Sequence, residues 1–224
     1  MILNNALQKL APSAATWKAI LKYLGIGSGR RRTSITNQSS LEYYLRSRAS
    51  HASQTSLFGY LKTRAGTRFP ELFKNPDYLV SINIAKWQVW LAALSDLAVF
   101  TGGLIHQRSE VSPEMIERLM NDTIEAILAE SGIPEEAGPD FEKECEKTKI
   151  RIANCNWAAI KDDESAFTTS PAALIHWAPV IDEFKRTDSE IVMNSIRFRW
   201  IEIRRNLRQD LDVESLMQNM QRNN

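Results

Sequence analysis

One carboxylate, Asp96, lies in the middle of the most apolar segment of this 224-residue chain. Leu94 and Leu97 flank it, so a regular element here would carry the carboxylate into the core. A buried carboxylate needs a partner or a raised pKa. We favour a structural ion pair with an arginine such as Arg64 or Arg68. The alternative is a site acid in the cleft of an enzyme of unknown reaction.

Arginines with aromatic residues between them form a second group near the C-terminus, namely Arg197, Arg204, Arg205 and Arg208. On a helix, Arg204 and Arg208 fall within about 20° of Arg197. Phosphate contacts from these arginines, with bases stacked on Phe198 and Trp200, would suit a nucleic acid. The interpretation that we prefer places both aromatic residues in the core and pairs the arginines with acidic side chains of residues 110–146.

A third cationic group, Arg30, Arg31 and Arg32, lies in the stretch GIGSGRRRTSITNQSS at residues 25–40. Arg30 stands where a dinucleotide-binding loop needs its last glycine, and the preceding segment predicts a helix, so we exclude a phosphate loop. No acidic residue precedes Glu42. This composition suits a nucleic-acid arm, a mitochondrial or plastid transit peptide, or peripheral membrane contact through residues 13–32.

Metal, cofactor and nucleophile motifs are absent from the sequence. His51, His106 and His176 are far apart, and none has a glutamate three residues before it. Cys145 and Cys155 lie ten residues apart on one predicted helix, a distance of about 15 Å that no disulfide spans. We therefore expect no metal and no cofactor, and we expect a non-enzymatic protein. So few cysteines also predict a reducing compartment such as the cytoplasm.

Charge is strongly segregated along the chain although the net charge is only +1. Residues 1–109 carry 14 basic and 4 acidic side chains, whereas residues 110–146 carry 2 basic and 12 acidic ones. Residues 147–224 are nearly balanced, with 12 and 11. Such blocks either neutralise each other within one fold, which we favour, or present two faces to different partners.

The elements that must position these side chains are predicted to be helices. Residues 77–105 are apolar on nearly all sides, which predicts a buried central helix, and charged residues interrupt them too often for a membrane span. Ser112, Pro113 and Gly132 predict the start and end of the next helix. Short strands at 79–84 and 195–203 are a minor alternative, because both stretches alternate with period two.

Five further expectations concern helix boundaries. A polar break is expected around His51, and Gly66 should end the helix that follows the break. Both cysteines should lie on a helix over residues 140–160. Pro179 should interrupt the next helix, and Thr187 should cap the last long one through the capping-box pattern TDSE.

Together these patterns predict an all-α protein, an irregular bundle of six to eight helices around the central one. Residues 1–40 form a basic arm with one short amphipathic helix near Trp17, and residues 41–224 form a single helical domain. The leading hypothesis is a charge-segregated protein that binds another macromolecule, most readily a protein partner or a second copy of itself. Nucleic-acid binding through Arg30–Arg32 and the Arg197–Arg208 helix face is the alternative.

Overall fold

The structure, a computed structural model, describes residues 34–222. The predicted helix near Trp17, the cationic group Arg30–Arg32 and the proposed targeting or membrane roles of residues 13–32 lie outside the described residues. Within the described range the chain is all-α, as predicted, with no strand and one isolated β-bridge. Seven helices have nine residues or more: α1 Gln38–Ala65, α2 Pro76–Arg108, α3 Pro113–Ser131, α4 Phe141–Ala153, α5 Thr169–Trp177, α6 Asp182–Asp210 and α7 Val213–Arg222.

Helix α2 is the centre of the bundle, and α1, α3, α4 and α5 all pack against it. Every residue from Gln88 to Ile105 is buried, which confirms the predicted central helix. Gly102 lets the ring of the buried Trp157 approach the α2 backbone, because a side chain there would meet that ring at 2.4 Å. The minor alternative of a strand at 79–84 is wrong, since these residues belong to α2. By length and apolarity α2 could also cross a membrane, but 94 % of its apolar window is buried inside the fold.

Capping residues set several helix boundaries where the sequence predicted them. The side chain of Ser112 accepts a hydrogen bond from the backbone N–H of Met115, and Pro113 occupies the first turn of α3. Gly132 follows α3 with φ of 65°, and Gly66 follows α1 with φ of 55°. Both angles are positive, a region that glycine enters without the steric cost of a Cβ.

Other boundaries differ from the prediction. Helix α1 is continuous through His51, because the small side chains around it are buried against neighbouring helices. Helix α4 ends at Ala153, which leaves Cys155 beyond it. Thr187 caps nothing, since α6 begins at Asp182 and the Thr187 hydroxyl donates within the helix to the carbonyl of Glu183. The alternative of a strand at 195–203 is also wrong, because this stretch lies inside α6.

The folded domain includes residues 34–40, which the sequence assigned to the N-terminal arm. Ile35 is only 1 % exposed and forms the parallel bridge with Leu211. Its N–H donates to the carbonyl of Asp210 at 2.7 Å, and its carbonyl accepts from the N–H of Asp212 at 3.1 Å. One large apolar side chain with two backbone hydrogen bonds thus orders a segment that is otherwise polar.

Ion pairs join the basic and acidic blocks of the sequence. Arg46 pairs with Glu130 on α3. The Lys86 ammonium lies 2.6 Å from a carboxylate oxygen of Glu136, which also accepts from the indole N–H of Trp87 at 2.8 Å. These contacts hold the pKa of Glu136 below its usual range. The opposite charges therefore neutralise each other in part within the fold.

Candidate functional site

Asp96 is completely buried and accepts hydrogen bonds on both carboxylate oxygens. Oδ1 accepts from Nη1 of Arg151 at 2.7 Å and from the backbone N–H of Thr169 at 3.1 Å. Oδ2 accepts from the backbone N–H of Ser170 at 2.7 Å. The predicted structural ion pair exists, but its arginine comes from α4 and not from position 64 or 68.

The carboxylate of Asp96 also caps a helix that belongs to a distant part of the chain. Thr169 and Ser170 open α5, where the first N–H groups have no partner within the helix. The residue before them, Thr168, gives no side-chain cap. A negative charge at this end also complements the positive pole of the helix. Asp96 therefore fixes α5 against α2.

This geometry favours a structural role for Asp96 over a catalytic one. A general acid or base must reach a substrate proton, but Asp96 is 0 % exposed and three donors surround it. A cavity of about 150 Å³ lies beside it, lined by Ser95 and Arg151 among others. Asp96 does not line that cavity. Arg151, which pairs with Asp96, does line the cavity, and its guanidinium also donates to the hydroxyl of Ser95 at 2.9 Å.

The cysteines and histidines of the described range form no reactive cluster. Cys145 and Cys155 are free and half-buried. Burial raises the pKa of Cys145 to about 11 and raises that of Cys155 as well, so both favour the unreactive thiol. Burial and the nearby Arg48 lower the pKa of His51. Among residues 34–222 no three His, Cys, Asp or Glu side chains are placed to hold a metal ion.

The four arginines near the C-terminus are not presented as one surface. Arg204 is 9 % exposed and lies over the ring of Phe167, and Arg208 donates to both carboxylate oxygens of Asp162 at 2.8 Å. Arg197 and Arg205 are exposed. Arg208 and Arg204 have their acidic partners, Asp162 and Glu164, in the segment before α5 and not, as expected, among residues 110–146. Arg197 donates to the side-chain oxygen of Asn194 on α6 itself.

Helix α6 has two apolar faces, and only one of them is packed. The inner face is buried against the domain and consists of Val192, Ile196, Trp200, Ile203 and Leu207. The second face, here called the outer stripe, consists of Phe184, Ile191, Phe198 and Ile201. These four side chains are 40 %, 75 %, 69 % and 54 % exposed. The prediction that Phe198 belongs to the core is wrong, whereas the same prediction for Trp200 is confirmed.

The spacing of the outer stripe is regular. Phe184, Ile191 and Phe198 follow one another at intervals of seven, and such residues drift by only about 20° per interval around a helix. Isolated exposed apolar residues are common on soluble proteins, but an aligned series is the pattern of a helix that packs against another helix. The seven-residue spacing is present in the sequence, but the spacing alone does not show which face of α6 is buried and which is exposed.

A groove between α1 and α6 adjoins the outer stripe. Its volume is about 450 Å³, and Ile191 on α6 lines it together with Ser56 and Gly59 on α1. A Cβ added at Gly59 would meet no atom within 4 Å, so the groove is open above this glycine. The outer stripe thus borders a groove in which Ile191 and Val192 supply the aliphatic wall and most other lining residues are polar.

Charged and polar side chains close one end of this groove. The guanidinium of Arg64 donates through two nitrogens to the carboxylate of Asp188 and lies 4.4 Å from the ring centre of Phe184. The Tyr60 hydroxyl donates to Asp188 at 3.1 Å. Burial, with this hydrogen bond, raises the pKa of Tyr60 to about 12, and the Arg64 contact lowers the pKa of Asp188. The pair therefore stays charged at neutral pH and fixes the two helices around the groove.

Comparisons of this chain with protein-family models, with curated proteins and with solved structures find no match.

Proposed function

We propose that this protein is a non-enzymatic helical binding protein that binds a protein partner through the outer stripe of α6. The observation that carries the proposal is the aligned exposure of Phe184, Ile191 and Phe198 on a helix whose other face is already packed. Burial of such side chains contributes roughly 25 cal/mol per Å² of apolar area removed from water. A partner helix that packs along the stripe would remove these side chains from water and so be stabilised by this amount. One of its side chains could also enter the groove beside Ile191.

Replacing two residues of the outer stripe tests this proposal. The double variant Ile191→Glu with Phe198→Glu should abolish the capture of bound protein by the full-length chain, because two carboxylates would have to be desolvated at the interface. The matched control replaces Ile133 and Ile150 with glutamate. These side chains are 64 % and 52 % exposed but lie outside α6. Quantitative affinity capture should show the same bound protein for the wild type and the control, and equal capture by the stripe variant would contradict the proposal.

A single-stranded nucleic acid is the second candidate partner. Phe198 is 69 % exposed between the exposed Arg197 and Arg199, an arrangement in which a base could stack while the arginines contact phosphates. Two features of the same helix weigh against it. Arg208 is neutralised by Asp162, and the exposed Glu190 and Glu202 would repel phosphate groups.

Salt dependence decides the nucleic-acid alternative. If α6 binds RNA, the affinity for a fluorescent single strand should fall steeply with salt. Replacing both Arg197 and Arg205 with alanine should then reduce the log–log slope by about 1 for each lost phosphate contact. Fluorescence anisotropy between about 50 and 200 mM salt measures this slope. The absence of binding at the lowest salt concentration would remove this alternative and leave the protein partner.

A further inference from the structure

The charges that border the outer stripe indicate which kind of partner it binds. We propose that the partner is a second copy of this chain, whose α6 packs antiparallel against the first. This inference rests on the proposed function, because it names the partner for the same surface. A symmetric dimer of this kind requires that the outer stripe and its bordering charges be complementary to their own copy after rotation about a two-fold axis.

The exposed charges of α6 change sign along the helix. Residues 182–190 present three exposed acids and one exposed arginine, and residues 197–209 present three exposed arginines and one exposed acid. A parallel pair of these helices would set acids beside acids and arginines beside arginines. An antiparallel pair sets each acidic half beside a basic half, and so replaces like-charge repulsion with attraction on both sides of the axis.

The two most exposed residues of the stripe, Ile191 and Phe198, are the basis for the proposed register of the pair. A two-fold axis between Ile191 and Phe198 places Ile191 of one copy against Phe198 of the other, twice by symmetry. The same axis brings Glu190 of one copy beside Arg197 of the other. Both residues are exposed, and both precede a stripe residue by one position. The repeat of seven residues allows the two helices to stay in contact with a gentle left-handed supercoil.

The groove can accommodate the ring of Phe198 from the second copy. Ile191 belongs both to the outer stripe and to the wall of the groove. A phenylalanine ring that packs on Ile191 therefore lies at the edge of a concavity of about 450 Å³ whose opposite wall carries Gly59. The interface thus combines the α6–α6 seam with contacts to α1.

The size of the surface predicts a reversible dimer. The stripe spans 18 residues from Phe184 to Ile201, and the rise between its two ends is about 26 Å at 1.5 Å per residue. One helix pair of this length falls at or below the lower end of the roughly 1,200–2,000 Å² that stable interfaces bury. The protein should therefore dissociate on dilution through the micromolar range. Sedimentation equilibrium of the full-length chain should show a mass that rises with concentration from 25.5 kDa toward twice that value.

Charge reversal tests the antiparallel register. The single variants Glu190→Arg and Arg197→Glu each place like charges together twice in the dimer and should weaken it by on the order of tenfold. The double variant Glu190→Arg with Arg197→Glu restores two opposite pairs and should recover wild-type dimerisation. Equal melting curves of the four proteins would show that no variant is simply unfolded. If the dissociation constant of the dimer is the same for the wild type and all three variants, the proposed register is wrong.

Cross-linking gives an independent test of direction. A short bifunctional maleimide should join Glu190→Cys to Arg197→Cys when the two variants are mixed, more efficiently than it joins either variant to itself. Preferential linkage within each separate variant would indicate a parallel pair and would overturn the proposal. The wild type, which keeps the half-buried Cys145 and Cys155, gives the background.

The failure of this inference can be told apart from the failure of the proposed function. A chain that stays monomeric at all concentrations overturns the second copy as the partner. If that monomer still captures a different protein, and the stripe variant loses it, the outer stripe remains a binding surface. If the chain is monomeric and capture is insensitive to the stripe variant, both proposals fall.

Discussion

Replacing Asp96 with alanine should lower the free energy of unfolding by about 3–5 kcal/mol, the loss expected when one partner of a buried ion pair is removed. The change leaves the Arg151 guanidinium without its carboxylate and leaves two backbone N–H groups at the start of α5 without an acceptor. Helix α5 has only nine residues and no side-chain cap of its own, so it should fray first. Urea denaturation followed by circular dichroism measures the loss.

Two further variants locate the origin of this loss. Arg151→Ala should cost less than Asp96→Ala, because the carboxylate of Asp96 would keep both backbone N–H donors at the start of α5. The double variant should cost less than the sum of the two single changes, since both remove the same ion pair. If Asp96→Ala unfolds at the same urea concentration as the wild type, the capping role of Asp96 is wrong.

Replacing Trp200 with alanine should also cost about 3–5 kcal/mol, the range for removing a large aromatic side chain from a core. Trp200 is 1 % exposed, stacks on Phe167 with the ring centres 4.6 Å apart, and donates from its indole nitrogen to the Ser170 hydroxyl at 3.1 Å. The substitution therefore removes apolar burial, an aromatic contact and a hydrogen bond together. Thermal unfolding of the purified variant measures the effect.

The neighbouring aromatic residue supplies the matched control for Trp200. Phe198→Ala removes a ring from the same helix, two residues away, but from a side chain that is 69 % exposed. Measured on the monomer at low protein concentration, this change should alter stability by no more than about 0.5 kcal/mol. Equal losses for the two variants would show that the assignment of inner and outer faces on α6 is wrong.

The sequence predicted those elements whose signals are local. Residues 77–105 lack an amphipathic pattern and proline, so burial on all sides could be inferred before any packing was known. Ser112, Pro113 and Gly132 act within one turn of their own helix, and their roles are confirmed. The prediction from the TDSE pattern that Thr187 caps a helix is wrong, because so short a pattern also occurs by chance inside a helix.

Features that depend on distant contacts could not be inferred in this way. Asp96 was expected to pair with an arginine, but Arg151 lies 55 residues further along the chain and no pattern links the two. The groove is lined by Gly59 on α1 and Ile191 on α6. The sequence alone does not show that these two residues lie close together. The seven-residue spacing of the outer stripe is present in the sequence, but only the packing of α6 shows that Phe198 is exposed and Trp200 is buried.

The β-bridge at Ile35 has a consequence for how the domain closes on itself. Ser34 and Asp210, which are 176 residues apart, are joined there, and Asn219 on α7 donates to the carbonyl of Thr36. Because closing so long a loop costs more conformational entropy than forming the shorter-range helix contacts, we expect this contact to form late in folding. The two ends of the domain should consequently detach together as one cooperative unit. The proximity of Ser34 to Asp210 and of Thr36 to Asn219 would also permit a circular permutation of residues 34–222, with these two ends joined by a short linker and new ends opened in an exposed loop.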